Sequence, residues 1–183
     1  MVNEGLNFDM NEIMGFVQSY AQDFSISRVI GSPSKVLRNF LWRPPTIGTI
    51  KLNFDTSFMD STNVSIARVL ATDREGQIVG ACTYPSMDVA NAFAAEARAC
   101  ERALYFALDM GFKKLILEGD SLTNIKNLNS NKMDRSIFRP ISQSIWLLER
   151  HFEEIACHFV PRDVNRAAHA LAMNGRYRHT PCF

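Results

Sequence analysis

Ile50, Leu52 and Phe54 alternate with Lys51, Asn53 and Asp55, the period of two that marks a half-buried β-strand. Similar patterning predicts a second strand over 64–72 and a third near 77–84. Asp73-Arg74-Glu75-Gly76 lies between them and reads as a turn, because Gly76 tolerates the positive φ that a hairpin demands. These three strands are expected to form an antiparallel meander. The period then changes. Phe93, Glu96, Ala97, Cys100, Ala103, Leu104 and Ala107 mark one stripe of a long alanine-rich helix, which Gly111 stops. Leu115-Ile116-Leu117-Glu118 is a short buried strand, and Ser121 is placed to cap a helix over 122–129. Ile137, Ile141, Ile145 and Leu148 share a face of a helix over 137–151, with Pro140 in its first turn. A last strand over 154–160 ends at Pro161, and a final helix runs over 164–174. The order β-β-β-α-β-α-α-β-α predicts an α/β domain, a mixed sheet with covering helices.

The first 41 residues look different. Ile13, Phe16, Val17 and Tyr20 fall at helical spacing, so a short helix near 10–22 is expected. Gly31-Ser32-Pro33-Ser34 breaks that pattern, and Trp42-Arg43-Pro44-Pro45 is extended. The division is therefore an arm or linker over 1–41, a domain over 42–174 and a tail over 175–183.

Composition narrows the class. With 183 residues, 46% hydrophobic and 21% charged, the chain is an ordinary globular domain rather than a disordered, collagen-like or coiled-coil protein. Twenty Lys and Arg against nineteen Asp and Glu give a net charge of +1. A polybasic coat is absent, so nucleic-acid binding must rest on a local patch. No run approaches the ~18 apolar residues of a membrane span, and no signal-peptide layout opens the chain. Cys82, Cys100, Cys157 and Cys182 are scattered, which argues against a zinc knuckle. The expectation is an intracellular monomer with reduced thiols and no membrane partner.

Three carboxylates stand out. Asp55 lies on a strand among apolar neighbours, Glu96 on the alanine stripe, and Asp120 at the C-terminal end of the buried strand. Ligands of open α/β sheets gather at strand ends, so convergence is expected there. Clustered carboxylates repel, and hard oxygen donors suit Mg²⁺ or Mn²⁺ as the neutralising ions.

The motifs around these acids resemble the plant retrotransposon-type ribonuclease H domain, within the ribonuclease H-like superfamily. Trp42-Arg43-Pro44-Pro45 and Gly48-Thr49-Ile50-Lys51-Leu52-Asn53-Phe54-Asp55-Thr56-Ser57 open the similarity. Thr72-Asp73-Arg74-Glu75-Gly76, Ala95-Glu96-Ala97 and Glu118-Gly119-Asp120-Ser121 continue it. It closes on the stretch from Val160-Pro161-Arg162 through Asn165 and His169 to Ala172. The resemblance implies a mixed five-stranded sheet and hydrolysis of the RNA strand of RNA–DNA hybrids with two divalent cations, Mg²⁺ or Mn²⁺. It implies Asp55, Glu96, Asp120 and His169 as the catalytic and metal positions. It also implies Thr56, Ser57, Ser121, Arg162 and Asn165 as contacts to nucleic acid, where 2′-hydroxyls distinguish RNA. The alternative is a catalytically weak or inactive module, derived from a retroelement, that binds nucleic acid or another partner.

Three departures bear on activity. His169 stands where the superfamily carries a fourth acid. As a ligand it would favour Mn²⁺; otherwise it caps or packs on the last helix. Phe159 stands where relatives place a histidine, and His158, one residue earlier, is expected to point to the opposite face. Arg68 stands where a glycine is usual and is expected to be an exposed edge charge.

Overall fold

The computed structural model describes residues 44–128, 139–162 and Asn165. Its element order is β1 (Thr49–Met59), β2 (Val64–Thr72), β3 (Ile78–Ser86), α1 (Ala92–Asp109), β4 (Lys114–Gly119), α2 (Leu122–Leu128), α3 (Arg139–Glu149) and β5 (Glu154–Phe159). The arm helix near 10–22, the start of the 137–151 helix, the final helix and His169 lie outside the described residues.

The five strands form one mixed sheet in the order β3-β2-β1-β4-β5. β1, β2 and β3 are the expected antiparallel meander. Their second turn closes through Gln77 N–H, which donates to Asp73 Oδ1 at 2.8 Å, and Gly76 has φ 78°. β4 adds to β1 in parallel, and β5 adds to β4 in parallel. The α1 crossover is what returns the chain from β3 to the other side of β1.

α1 starts at Asn91, whose side chain accepts from Ala94 N–H at 2.9 Å. It ends as its glycine predicts. Phe112 N–H reaches the carbonyl of Ala107 and Gly111 N–H that of Leu108, with Gly111 at φ 73°. Its buried face is made of small residues, Ala95, Ala99, Cys100, Ala103 and Ala107, so the helix lies close on the sheet. Against it pack Leu52, Phe54, Val69, Leu115 and Leu117 of the sheet, all almost fully buried. Each such side chain contributes roughly 1.5–3 kcal/mol by leaving water. Ile145 and Leu148 bring α3 onto the same core.

Two expectations are corrected. β1 is not half-buried: Lys51 is 3% exposed, Asn53 8% and Asp55 0%. The strand is central in the sheet, and both of its faces are covered. Arg68 is not an edge charge but is fully buried. β2 has neighbours on both sides, and its register sets Arg68 between Asp55 of β1 and Thr83 of β3.

Candidate metal centre

The site forms where two parallel strands part. The β1–β4 ladder runs from Thr49–Lys114 to Asn53–Glu118. Past that rung β1 continues beside β2 alone, while β4 ends at Gly119. Asp55 lies on the overhanging part of β1, and Asp120 immediately follows β4. Glu96 comes from the first turns of α1, at the crossover where the chain changes direction along the sheet. The carboxylates of Asp55, Glu96 and Asp120 each offer an oxygen, and these oxygens all lie within 4.8 Å of one another.

Gly119 makes room for this arrangement. A Cβ at Gly119 would come within 2.5 Å of Phe54 Cζ, so the ring lies directly over the glycine at the strand end.

The electrostatics follow from the crowding. Burial first, and then the neighbouring Asp120 and Asp55, push the Glu96 carboxyl up to about 9, with Arg162 opposing them. Glu96 Oε2 is buried and has no hydrogen-bond partner among the described residues. An all-oxygen donor set, like charges at short range and a sealed oxygen without a donor fit a hard divalent cation.

The remaining site candidates divide. Arg162 is exposed, and its Nε lies 3.3 Å from Asp120 Oδ2, at the mouth of the cluster. Ser121 is half-buried and accepts from Asn124 Nδ2 at 3.0 Å. Thr56 and Ser57 are buried, and the Thr56 hydroxyl donates to the Ile66 carbonyl at 3.4 Å. Asn165 is 1% exposed and turned inward, where its amide holds Asn53 and the Phe54 carbonyl. Lys51, Asn53 and Glu118 are buried beside the site and were not among the candidates, although Asn53 and Glu118 sit two residues before Asp55 and Asp120. His151 and His158 are exposed. Burial lifts the Cys82 and Cys157 thiols to about 12, so neither is a nucleophile at neutral pH. Among the described residues no helix is long and apolar enough to cross a membrane.

Residues 53–175 match the model of a family described as reverse transcriptase-like. Among solved structures, the chain is similar to RNase H1 of the halophilic archaeon Halobacterium salinarum NRC-1. That match has TM-score 0.63 and 25% identity, over 69% of this chain and 98% of the other. The N-terminal RNase H domain of a Mycobacterium tuberculosis protein aligns with TM-score 0.62 and 16% identity, over 69% and 97% of the two chains. LC11-RNase H1 in complex with RNA/DNA hybrid aligns with TM-score 0.60 and 16% identity, over 67% and 92%. No curated protein matches the chain.

Proposed function

Since the chain belongs to the reverse transcriptase-like family, we propose that it is a ribonuclease H-type endonuclease acting on the RNA strand of RNA–DNA hybrids. The observation that carries this reading is the convergence of Asp55, Glu96 and Asp120 at the parting of β1 and β4. The LC11 enzyme, which shares the fold, was solved with an RNA/DNA hybrid, which supports the choice of substrate. The blocks of sequence around the acids support an origin in a plant retroelement, and the chain is read as a monomer.

In this reading Asp55, Glu96 and Asp120 hold the two divalent cations, Mg²⁺ or Mn²⁺. When bound, such ions lower the pKa of a coordinated water and neutralise charge on the leaving oxygen. The protein's part is to hold the three carboxylates in one small volume. Burial and the neighbouring carboxylates raise the Glu96 pKa, so an ion held there would displace a proton from it. Arg162, exposed beside Asp120, is proposed to meet a phosphate of the substrate. Half-buried Ser121 is proposed to line the path of the nucleic acid, and Thr56 and Ser57, buried in β1, to support that path from within the sheet. His169 is proposed as a further ligand that shifts preference toward Mn²⁺. Equal activity in Mg²⁺ and Mn²⁺ that persists in His169→Ala would remove that role.

The test is cleavage of a labelled RNA–DNA hybrid in Mg²⁺ and in Mn²⁺, with Asp55→Asn in parallel. Cleavage by the wild type and its loss in the variant are expected. A second reading, a binding module without turnover, is favoured by one observation. Buried Arg68 stands in register with Asp55 and offsets part of the negative charge that would draw cations. That reading predicts hybrid binding that survives Asp55→Asn and no turnover in either metal.

A further inference from the structure

Four buried polar side chains form one continuous chain across the strand ends. Lys51 Nζ lies 2.8 Å from Glu118 Oε1. Asn53 Nδ2 donates to Glu118 Oε2 at 3.0 Å and is 3.2 Å from Asn165 Oδ1. Asn165 Nδ2 donates to the carbonyl of Phe54 at 2.8 Å. Asn165 is itself held in the turn after β5, where its N–H reaches the Pro161 carbonyl at 3.1 Å. Three remote parts of the sequence are thereby joined: β1, β4 and the turn that follows β5.

The location of this chain matters more than its existence. Asn53 and Glu118 form the last rung of the parallel ladder. Asp55 and Asp120 each lie two residues beyond a member of that rung. The bond from Asn165 to the Phe54 carbonyl fixes the peptide plane that leads into Asp55. Lys51 neutralises Glu118, whose carboxylate would otherwise be a further anion close to Asp120. The fork that spaces the two aspartates is thus clamped at its base.

We propose that this Lys51–Glu118–Asn53–Asn165 chain is the positioning device of the carboxylate site, with Asn165 the positioning residue that ties the turn after β5 to Asp55. It rests on the cation site proposed above. Groups that orient metal ligands typically contribute 10–100-fold to metal affinity, and the same is expected of this chain.

The experiment is Mn²⁺ binding to the full chain by calorimetry, without nucleic acid. Wild type is compared with Asn165→Ala, Asp55→Asn and Leu148→Ala. The last makes a cavity under α3, an element that supplies neither a carboxylate of the site nor a member of the polar chain. Asn165→Ala is expected to weaken Mn²⁺ binding about tenfold or more. Leu148→Ala is expected to lower the melting temperature while leaving Mn²⁺ affinity within about twofold. If Asn165→Ala does not fold, Asn53→Ser, which removes both bonds at the centre of the chain, takes its place with the same expectation. Wild-type affinity in Asn165→Ala, or an equal loss in Leu148→Ala, overturns the inference alone. A wild-type chain that takes up no Mn²⁺ overturns the proposed function and this inference with it.

Discussion

The two faces of β1 are buried to nearly the same depth by opposite chemistry. On one, Leu52 and Phe54 are 0% exposed against α1 and the neighbouring strands. On the other, Lys51, Asn53 and Asp55 are 3%, 8% and 0% exposed. The apolar face gains from contact that has no direction, so it tolerates change in proportion to the volume lost. The polar face is stable only while each donor and acceptor keeps its partner. The difference teaches where function can reside in a strand of this kind. Directional partners fix atoms in place, and a cation site needs fixed atoms.

The largest effect is expected where Glu96 of α1 meets Asp55 of the polar face, and burial and like charge outweigh Arg162. Glu96 has its carboxyl raised from 4.5 to about 9. Its folded-state pKa is therefore above the unfolded one, and the folded protein holds the proton more tightly. The stability this contributes is fully present below about 4.5 and is lost as pH rises toward about 9. Without divalent cations, Glu96→Gln should melt higher than wild type, by a margin that grows from about pH 5 to about pH 8. Saturating Mn²⁺ should raise the wild-type melting temperature and close that gap.

Lys51→Met comes next. It leaves the Glu118 charge buried without its 2.8 Å partner and should cost about 3–5 kcal/mol in urea unfolding. Adding Glu118→Gln should recover most of that loss; a neutral Lys51→Met would mean the two faces obey the same rules. Leu52→Ala, on the apolar face, should cost about 2–5 kcal/mol with no partner able to rescue it. The smallest effect is Gly119→Ala, at about 1–3 kcal/mol, because a Cβ there meets Phe54 Cζ at 2.5 Å. Its cost should fall when Phe54 is shortened to Leu, since the clash is with the ring.

Much of the fold was legible because its signals are local. The alternation of β1, the Gly76 turn and the Gly111 helix stop each depend on a few adjacent residues. Asp55, Glu96 and Asp120 stood out because each occupied a place where packing favours an apolar side chain or where a strand ends. The fate of Lys51, Asn53 and Arg68 was not legible. Alternating polar residues read as a wet face, and nothing nearby in sequence says that the face is covered. The partners that allow its burial are distant: Asn53 meets residues 65 and 112 positions away. The motif around Asn165 points to a contact with nucleic acid, whereas the partners of its amide lie within the fold. Ser121 precedes its helix as expected, but its hydroxyl oxygen takes the Asn124 side chain.

The parallel β1–β4 pair has a consequence for the order in which the molecule assembles. The meander of β1, β2 and β3 closes through short turns, and its ladders join residues near in sequence. The β1–β4 ladder closes only after the whole crossover through α1 is in place, because Thr49 pairs with Lys114. Loop closure of that kind is slow, and it carries the entropy cost of the intervening chain. The three carboxylates ride on β1, α1 and the end of β4. Their mutual repulsion is therefore expected to arise only in the last docking step. A cation present during refolding should speed that step and leave the early meander untouched.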